Sequence, residues 1–297
     1  HLTEYGSASM LKFALEKLKT DFFPEAFNIN ACNLNEIKES FKFVKKLIKN
    51  ENNCEEVMRM LSEIGISWHI LLRQIVNIKK LNILEIFISL FEQTFEKGQI
   101  LRVKDEDGDN LLHLAAAFSK SKEVFEFLWM KIEELFEDKE ELKKFLLVKG
   151  EYESNALLHS IAQQNENSFY FLFEQVFCKY FNFIEFAYES DEDGENLLHY
   201  LARWGSVSML KFALEKLKNE FSPEDLQNFI KLKSKNGQNL LHCAALQNEN
   251  EKSVEFLVIF IKKEVGSEEV KKMLSELSNF KKLPLHCAVQ SNNLKIF

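Results

Sequence analysis

The sequence predicts an all-α helical solenoid, with an extra short helix in each repeat and loop or hairpin fingers between repeats. Three observations predict it. The stretch Asn239-Leu240-Leu241-His242-Cys243-Ala244-Ala245 returns as Asn110-Leu111-Leu112-His113-Leu114-Ala115-Ala116 and as Asn196-Leu197-Leu198-His199-Tyr200-Leu201-Ala202. Two weaker copies, Ala156-Leu157-Leu158-His159-Ser160-Ile161-Ala162 and Leu283-Pro284-Leu285-His286-Cys287-Ala288-Val289, set the five histidines 46, 40, 43 and 44 residues apart, a period typical of stacked helical units. Finally, GSASMLKFALEKLK at Gly6 to Lys19 recurs as GSVSMLKFALEKLK at Gly205 to Lys218 with one difference, the mark of an internal duplication.

Each motif copy reads as a helix start. The side chain of Asn110, Asn196 or Asn239 can accept from the free amides of the first turn, a cap that stabilises by about 1 kcal/mol over Ala. The Leu pair points into the stack, and the small Ala residues let a neighbouring helix approach closely. Here the sequence resembles the ankyrin repeat, whose signature is Thr-Pro-Leu-His-x-Ala; Leu283-Pro284-Leu285-His286-Cys287-Ala288 comes nearest. The resemblance covers nearly the whole chain. It departs in a period about ten residues longer than the usual 33, and in Asn or Ala standing mostly where Thr-Pro would open the motif. It implies that the motif histidine holds the turn by hydrogen bonds, and that the hairpins and the far end of each inner helix line a concave binding surface.

In order, the repeats make a single array over 1–297 with units at 1–27 (partial), 28–65 (degenerate), 66–109, 110–154, 155–195, 196–238, 239–282 and 283–297 (partial). The duplication runs at an offset of 199 residues, whereas Ser40 to Ile64 match Ser253 to Leu277 at 213. The fourteen residues lost between them leave either a repeat without its finger or a loop missing from the sequence. His69 keeps the phase without an Asn cap, and Leu81 to Phe95 follows as an apolar helix. In the unit opened by Asn110, an inner helix is predicted at about Leu111 to Phe118 and an outer helix at about Lys122 to Phe136. A third segment from Asp138 carries acids first and lysines later, as a short helix with a favourable dipole would. Pro223 and Ser267 open the same segment in later units, Pro223 at a first-turn position, and this extra helix accounts for the long period. Asp-Gly at 107–108 and 193–194 and Asn-Gly at 236–237 suit finger tips. Both ends fall within a unit, the expectation for a piece of a longer array.

With 46% apolar residues and 28 phenylalanines, the chain is neither disordered nor linker-like. Its longest apolar runs, such as Phe256 to Ile261, stop at Lys262-Lys263, short of a membrane span. Five cysteines without a CxxC pair argue against a disulfide framework or a zinc knuckle and for a reducing compartment. An intracellular, cytoplasmic location is the expectation.

No catalytic constellation is legible. The five motif histidines lie one repeat apart, too far to share a metal ion, so no metal and no cofactor is expected. Asp105 to Asp109 and Asp191 to Glu195 look like calcium loops, but their Gly is fourth rather than sixth, and Ala116 or Ala202 stands at position twelve in place of Glu. No phosphate-binding loop, nucleophile elbow or zinc-protease helix is present. Phenylalanines such as Phe169, Phe173, Phe177 and Phe183 read as core packing on outer helices rather than as a ligand groove.

Charge is unevenly spread: residues 1–100, 101–200 and 201–297 carry net charges of 0, −12 and +4. The resemblance implies that Glu106, Asp107 and Asp109, then Glu153, then Glu192, Asp193 and Glu195, project onto the binding face as an acidic strip. Arg203 and Trp204 fall on the inner helix of that face, and Lys235 marks where the sign changes. Such a strip would steer a protein partner with a basic surface, with Trp204 as its anchor, and would repel nucleic acid. The expected function is a protein–protein interaction scaffold, not an enzyme. The alternative is a targeting or regulatory region of a larger effector, toxin, enzyme or channel whose active domain lies elsewhere. Oligomeric state is not legible.

Overall fold

The computed structural model describes residues 81–92, 98–105, 107–119, 121–247 and 251–291. They divide between two compact units, His1–Asp138 and Lys139–Phe297. The expected units at 1–27 and 28–65, the first copy of the duplication, the motif at His69 and the end of the helix expected to reach Phe95 lie outside the described residues. So does Glu106.

In the first unit, α1 (Leu81–Glu92), α2 (Gln99–Arg102), α3 (Leu111–Phe118) and α4 (Lys122–Leu135) follow one another. Leu84 and Ile88, one turn apart on α1, are fully buried, and α1 packs on α2 and α4. Asn110 caps α3 as expected: its Oδ1 accepts from the amides of Leu112 (3.0 Å) and His113 (3.2 Å). Ser121 caps α4 through Oγ and the Val124 amide at 3.3 Å. One face of α4, with Val124, Phe125, Leu128, Trp129 and Ile132, is buried, the stripe that a 3.6-residue period places on one side.

The second unit repeats one plan. It opens with α5 (Lys139–Leu146) and a 3-10 turn at Glu151–Glu153, then α6 (Ala156–Ala162). Next, α7 (Glu166–Phe171) runs through a π-helical stretch, Leu172–Phe177, into α8 (Cys178–Tyr180), and α9 (Phe183–Ala187) closes that repeat. The following two repeats are α10 (Leu197–Trp204), α11 (Val207–Glu220) and α12 (Pro223–Ile230), then α13 (Leu240–Gln247), α14 (Glu251–Val265) and α15 (Ser267–Ser275). A last inner helix, α16 (Pro284–Gln290), ends the described chain. Inner helices α6, α10, α13 and α16 pack in succession, and so do outer helices α7, α11 and α14. The third helix is the extra element that lengthens the period: α12 packs on α11 and also on α14 of the next repeat. Pro223 sits in its first turn, where the missing N–H has no helical partner to lose.

Small residues set the spacing of inner helices. Ala245, Cys287 and Ala288 are fully buried against one another between α13 and α16. Large rings fill the wider layer beneath. Phe169, Phe173 and Phe177 are fully buried, and the Phe173 ring lies 5.2–5.5 Å from those of Phe183, Phe186 and Phe212. The phenylalanines are therefore core, as the sequence indicates. The i→i+5 bonding of the π stretch widens the turn, which brings residues four apart closer to one line and lets these three rings face the same layer. Among the described residues there is no strand, only an isolated antiparallel bridge between Ser190 and Asn196. No described helix is long and apolar enough to cross a membrane.

Candidate protein-interaction face

Five turns of one design precede the inner helices, at 105–109, 150–154, 191–195, 234–238 and 278–282. In each, the position-1 amide donates to the position-5 carbonyl and the position-4 amide returns to the position-1 carbonyl, all at 2.9–3.1 Å. The position-1 side chain adds a third bond where it can. Asp105 and Asp191 accept the position-5 amide at 2.8 Å, and Ser234 and Ser278 do so at 3.3 Å. Position 4 is left-handed throughout: Gly108, Gly194 and Gly237 have φ of 86°, 73° and 70°, and Glu153 and Lys281 adopt 55° and 57°.

Within the second unit, neighbouring turns are laced together by their backbones. The position-2 amide of each turn donates to the position-3 carbonyl of the turn before it: Glu192 to Tyr152 (3.3 Å), Lys235 to Asp193 (2.8 Å) and Asn279 to Asn236 (2.9 Å). Side chains reinforce the ladder. Lys235 Nζ donates to the Glu192 carbonyl at 2.9 Å, Asn236 Nδ2 to Asp193 Oδ1 at 2.9 Å, and Asn279 Nδ2 to the Lys235 carbonyl at 2.8 Å. Tip residues far apart in sequence are thus held in register by bonds that no local pattern announces.

The expected site residues separate into two layers. Asp107 in the first unit, and Glu153, Glu192, Asp193 and Lys235 in the second, are exposed. Asp109 and Glu195 do not project as expected: they are 5% and 3% exposed. Both occupy position 5, immediately before the capping Asn, where the chain turns into the stack; Ser154 and Gln238 at that position are buried as well. Arg203 and Trp204 are half-buried. Glu195 accepts from Arg203 Nε at 3.0 Å and from its Nη2, and Arg203 reaches on to Gln238 Oε1 at 3.2 Å and Cys243 Sγ at 3.7 Å. The Trp204 ring lies 4.8 Å from that of Tyr200 and 5.1 Å from the guanidinium carbon. Burial pushes the Glu195 carboxyl upward against the pull of Arg203. It does the same to Asp191, whose Oδ2 accepts from Tyr200 Oη at 2.9 Å. These buried groups brace the tips from below.

The motif histidine does hold the turn. The backbone N–H of Asn110, Asn196, Asn239 and Leu283 faces Nδ1 of His113, His199, His242 and His286 at 3.0–3.4 Å, so the imidazole takes the place of Glu or Gln in a capping box. His242 Nε2 lies 3.0 Å from the Lys282 carbonyl of the next repeat. Burial lowers the His199 pKa to about 4 and lowers that of His242, which keeps both rings neutral. The 155–195 repeat is offset by one: its cap is Asn155, not the Ala156 that aligns with the motif. His159 consequently leaves its cap, and its Nε2 lies 3.3 Å from the Glu151 carbonyl.

Among the described residues, no three His, Cys, Asp or Glu side chains converge as metal ligands. Cys178 is exposed and Cys243 and Cys287 are buried, all three as free thiols.

No protein-family model and no curated protein matches the sequence. Among solved structures, the chain is similar to the complex of Bd0816, a predatory endopeptidase from Bdellovibrio bacteriovorus, with the immunity protein Bd3460. Identity there is 16%, over 75% of this chain and 92% of that chain, with a TM-score of 0.46. It is similar to an ankyrin repeat domain, ABAYE2397, from Acinetobacter baumannii AYE at 14% identity, over 76% and 93% of the two chains, with a TM-score of 0.43. The ankyrin repeat domain of Bcl-3, of the IκB family, is similar at 16% identity over 77% and 96%, with a TM-score of 0.42. The described residues fold as ankyrin-type helical repeats, on the strength of their capped inner helices and, in the second unit, of stacked outer helices and laced turns.

Proposed function

We propose that residues 1–297 form one protein-interaction repeat array, which binds a partner protein through its turns and the last turn of its inner helices. The ladder of backbone bonds carries this reading. It fixes Glu192, Asp193 and Lys235 in register while leaving their side chains exposed, an arrangement that packing alone does not require. Glu153, also exposed, extends the acidic character of the second unit's row, and a partner with a basic surface fits it. Arg203 and Trp204 supply half-buried contact area beside the tips. Asp109 and Glu195 act indirectly, by holding the turns. Phosphate-rich nucleic acid does not fit such a face.

The test is capture of partners from a lysate by the parent chain and by an E192K/D193K variant of matched circular dichroism. A protein retained by the parent and lost by the variant supports the reading. Equal capture by both removes these tips from the binding site.

A further inference from the structure

The five turns share the same two closing backbone bonds and differ most at position 3: Asp107, Tyr152, Asp193, Asn236 and Phe280, of which Tyr152 alone has a positive φ. Tyr152 and Phe280 are 66% and 61% exposed, the highest values among the exposed large hydrophobic residues described. Both fall at this one position, on the two turns of the second unit's row that stand at its ends. Exposing a ring forgoes the burial that stabilises a core. Tyr152 also holds φ at 56°, a region that bulky residues rarely occupy. The intervening position-3 residues are Asp193, which is exposed, and Asn236, whose amide is bonded to the Asp193 carboxylate.

We infer that this row reads an extended segment of the partner protein: Tyr152 and Phe280 each receive an apolar side chain, and Asp193 receives a cationic one between them. The inference rests on the binding face proposed above and adds the form of its ligand. Three ladder steps separate the two rings. At the 8–10 Å spacing of packed helices they stand roughly 24–30 Å apart, which about eight residues of extended chain would span. One tip step is then about three residues, so the segment carries apolar residues near its first and ninth positions and Lys or Arg near its fourth. Charge supports the assignment, since Glu192 stands beside Asp193 and both are exposed.

The experiment is selection of random twenty-residue peptides on the full chain, followed by binding of the enriched peptides to Y152S, F280S and E192K/D193K variants checked by circular dichroism. The expected peptides share two apolar residues eight to ten positions apart with Lys or Arg between. Each serine variant should weaken their binding on the order of tenfold. Apolar residues near eighteen positions apart would mean a helical ligand and overturn the extended form. Absence of enrichment, or binding to the two serine variants as tight as to the parent chain, overturns the inference as well. If E192K/D193K alone abolishes binding, the acidic face stands and the aromatic anchors fall.

Discussion

Glu195 and Arg203 form a two-pronged ion pair beneath the tips, with the carboxylate side chain 4% and the guanidinium side chain 13% exposed. Because Arg203 also touches Gln238 and Cys243, the pair joins two repeats. Removing one member leaves a buried charge without its counterpart, which destabilises by about 3–5 kcal/mol. E195A and R203A should therefore each lower the denaturant midpoint strongly, while E195L/R203M should recover much of the loss. A double variant as unstable as the sum of the singles would show that the two residues act separately.

His199 gives the fold a defined response to acid. Its folded pKa of about 4 lies below the ordinary 6.5, so the unfolded chain binds the extra proton between those values. The stability it contributes is fully present above pH 6.5 and is lost as the pH falls through 6.5 toward 4, by about 3 kcal/mol for a shift of this size. Asp191 and Glu195, whose pKa values are raised, respond in the opposite sense. The parent must therefore be compared with H199Q, in which Gln preserves the capping-box chemistry without titrating. Chemical denaturation across this range should show the difference between the two shrinking as pH falls; a difference independent of pH contradicts the assignment.

Position 4 of the turns offers a paired test. A Cβ at Gly237 would meet Asn279 Oδ1 at 2.6 Å and its amide nitrogen at 3.1 Å, at a φ of 70°. G237A should destabilise by about 1–2 kcal/mol, visible as a lower melting temperature. At Glu153, already left-handed at 55°, Gly relieves the backbone, and E153G should stabilise by up to about 1 kcal/mol.

Asn239 does more than cap. Its Oδ1 accepts from Leu241 and His242, while Nδ2 donates to the Met273 carbonyl and Glu276 Oε2, both at 2.9 Å. N239A should cost about 1 kcal/mol for the cap and about as much again for the stranded carbonyl. It should exceed N196A in equilibrium unfolding; equal losses would mean the tie to α15 adds nothing.

Much of this was legible because it is local. Asn110, Asn196 and Asn239 announce their caps within three residues, α3 occupies the predicted Leu111 to Phe118, and Pro223 opens the third helix. The misses are of another kind. The Asn155 cap is hidden in the sequence because the histidine series aligns Ala156 with the motif Asn, and a one-residue offset leaves the apolar pattern intact. Asp109 and Glu195 look like tip residues, yet position 5 turns inward to reach the cap, and Glu195 is paired there with Arg203 and touched by Cys243 of the next repeat. The ladder joins residues about forty apart through backbone groups, which carry no sequence signature. Nothing in the stretch Gly150-Glu151-Tyr152-Glu153-Ser154 marks Tyr152, since only exposure distinguishes it from a core ring.

Site-specific photo-crosslinking shows whether a partner meets the laced tips. A photoreactive residue is placed at Asp193 on a tip and, in a second variant, at Ile259, which is 58% exposed on the outer helix α14. In the presence of the captured partner, the Asp193 position should yield a crosslinked species and the Ile259 position none. Crosslinking from Ile259 with none from Asp193 would place the partner on the outer layer and rule out the tips as the binding face.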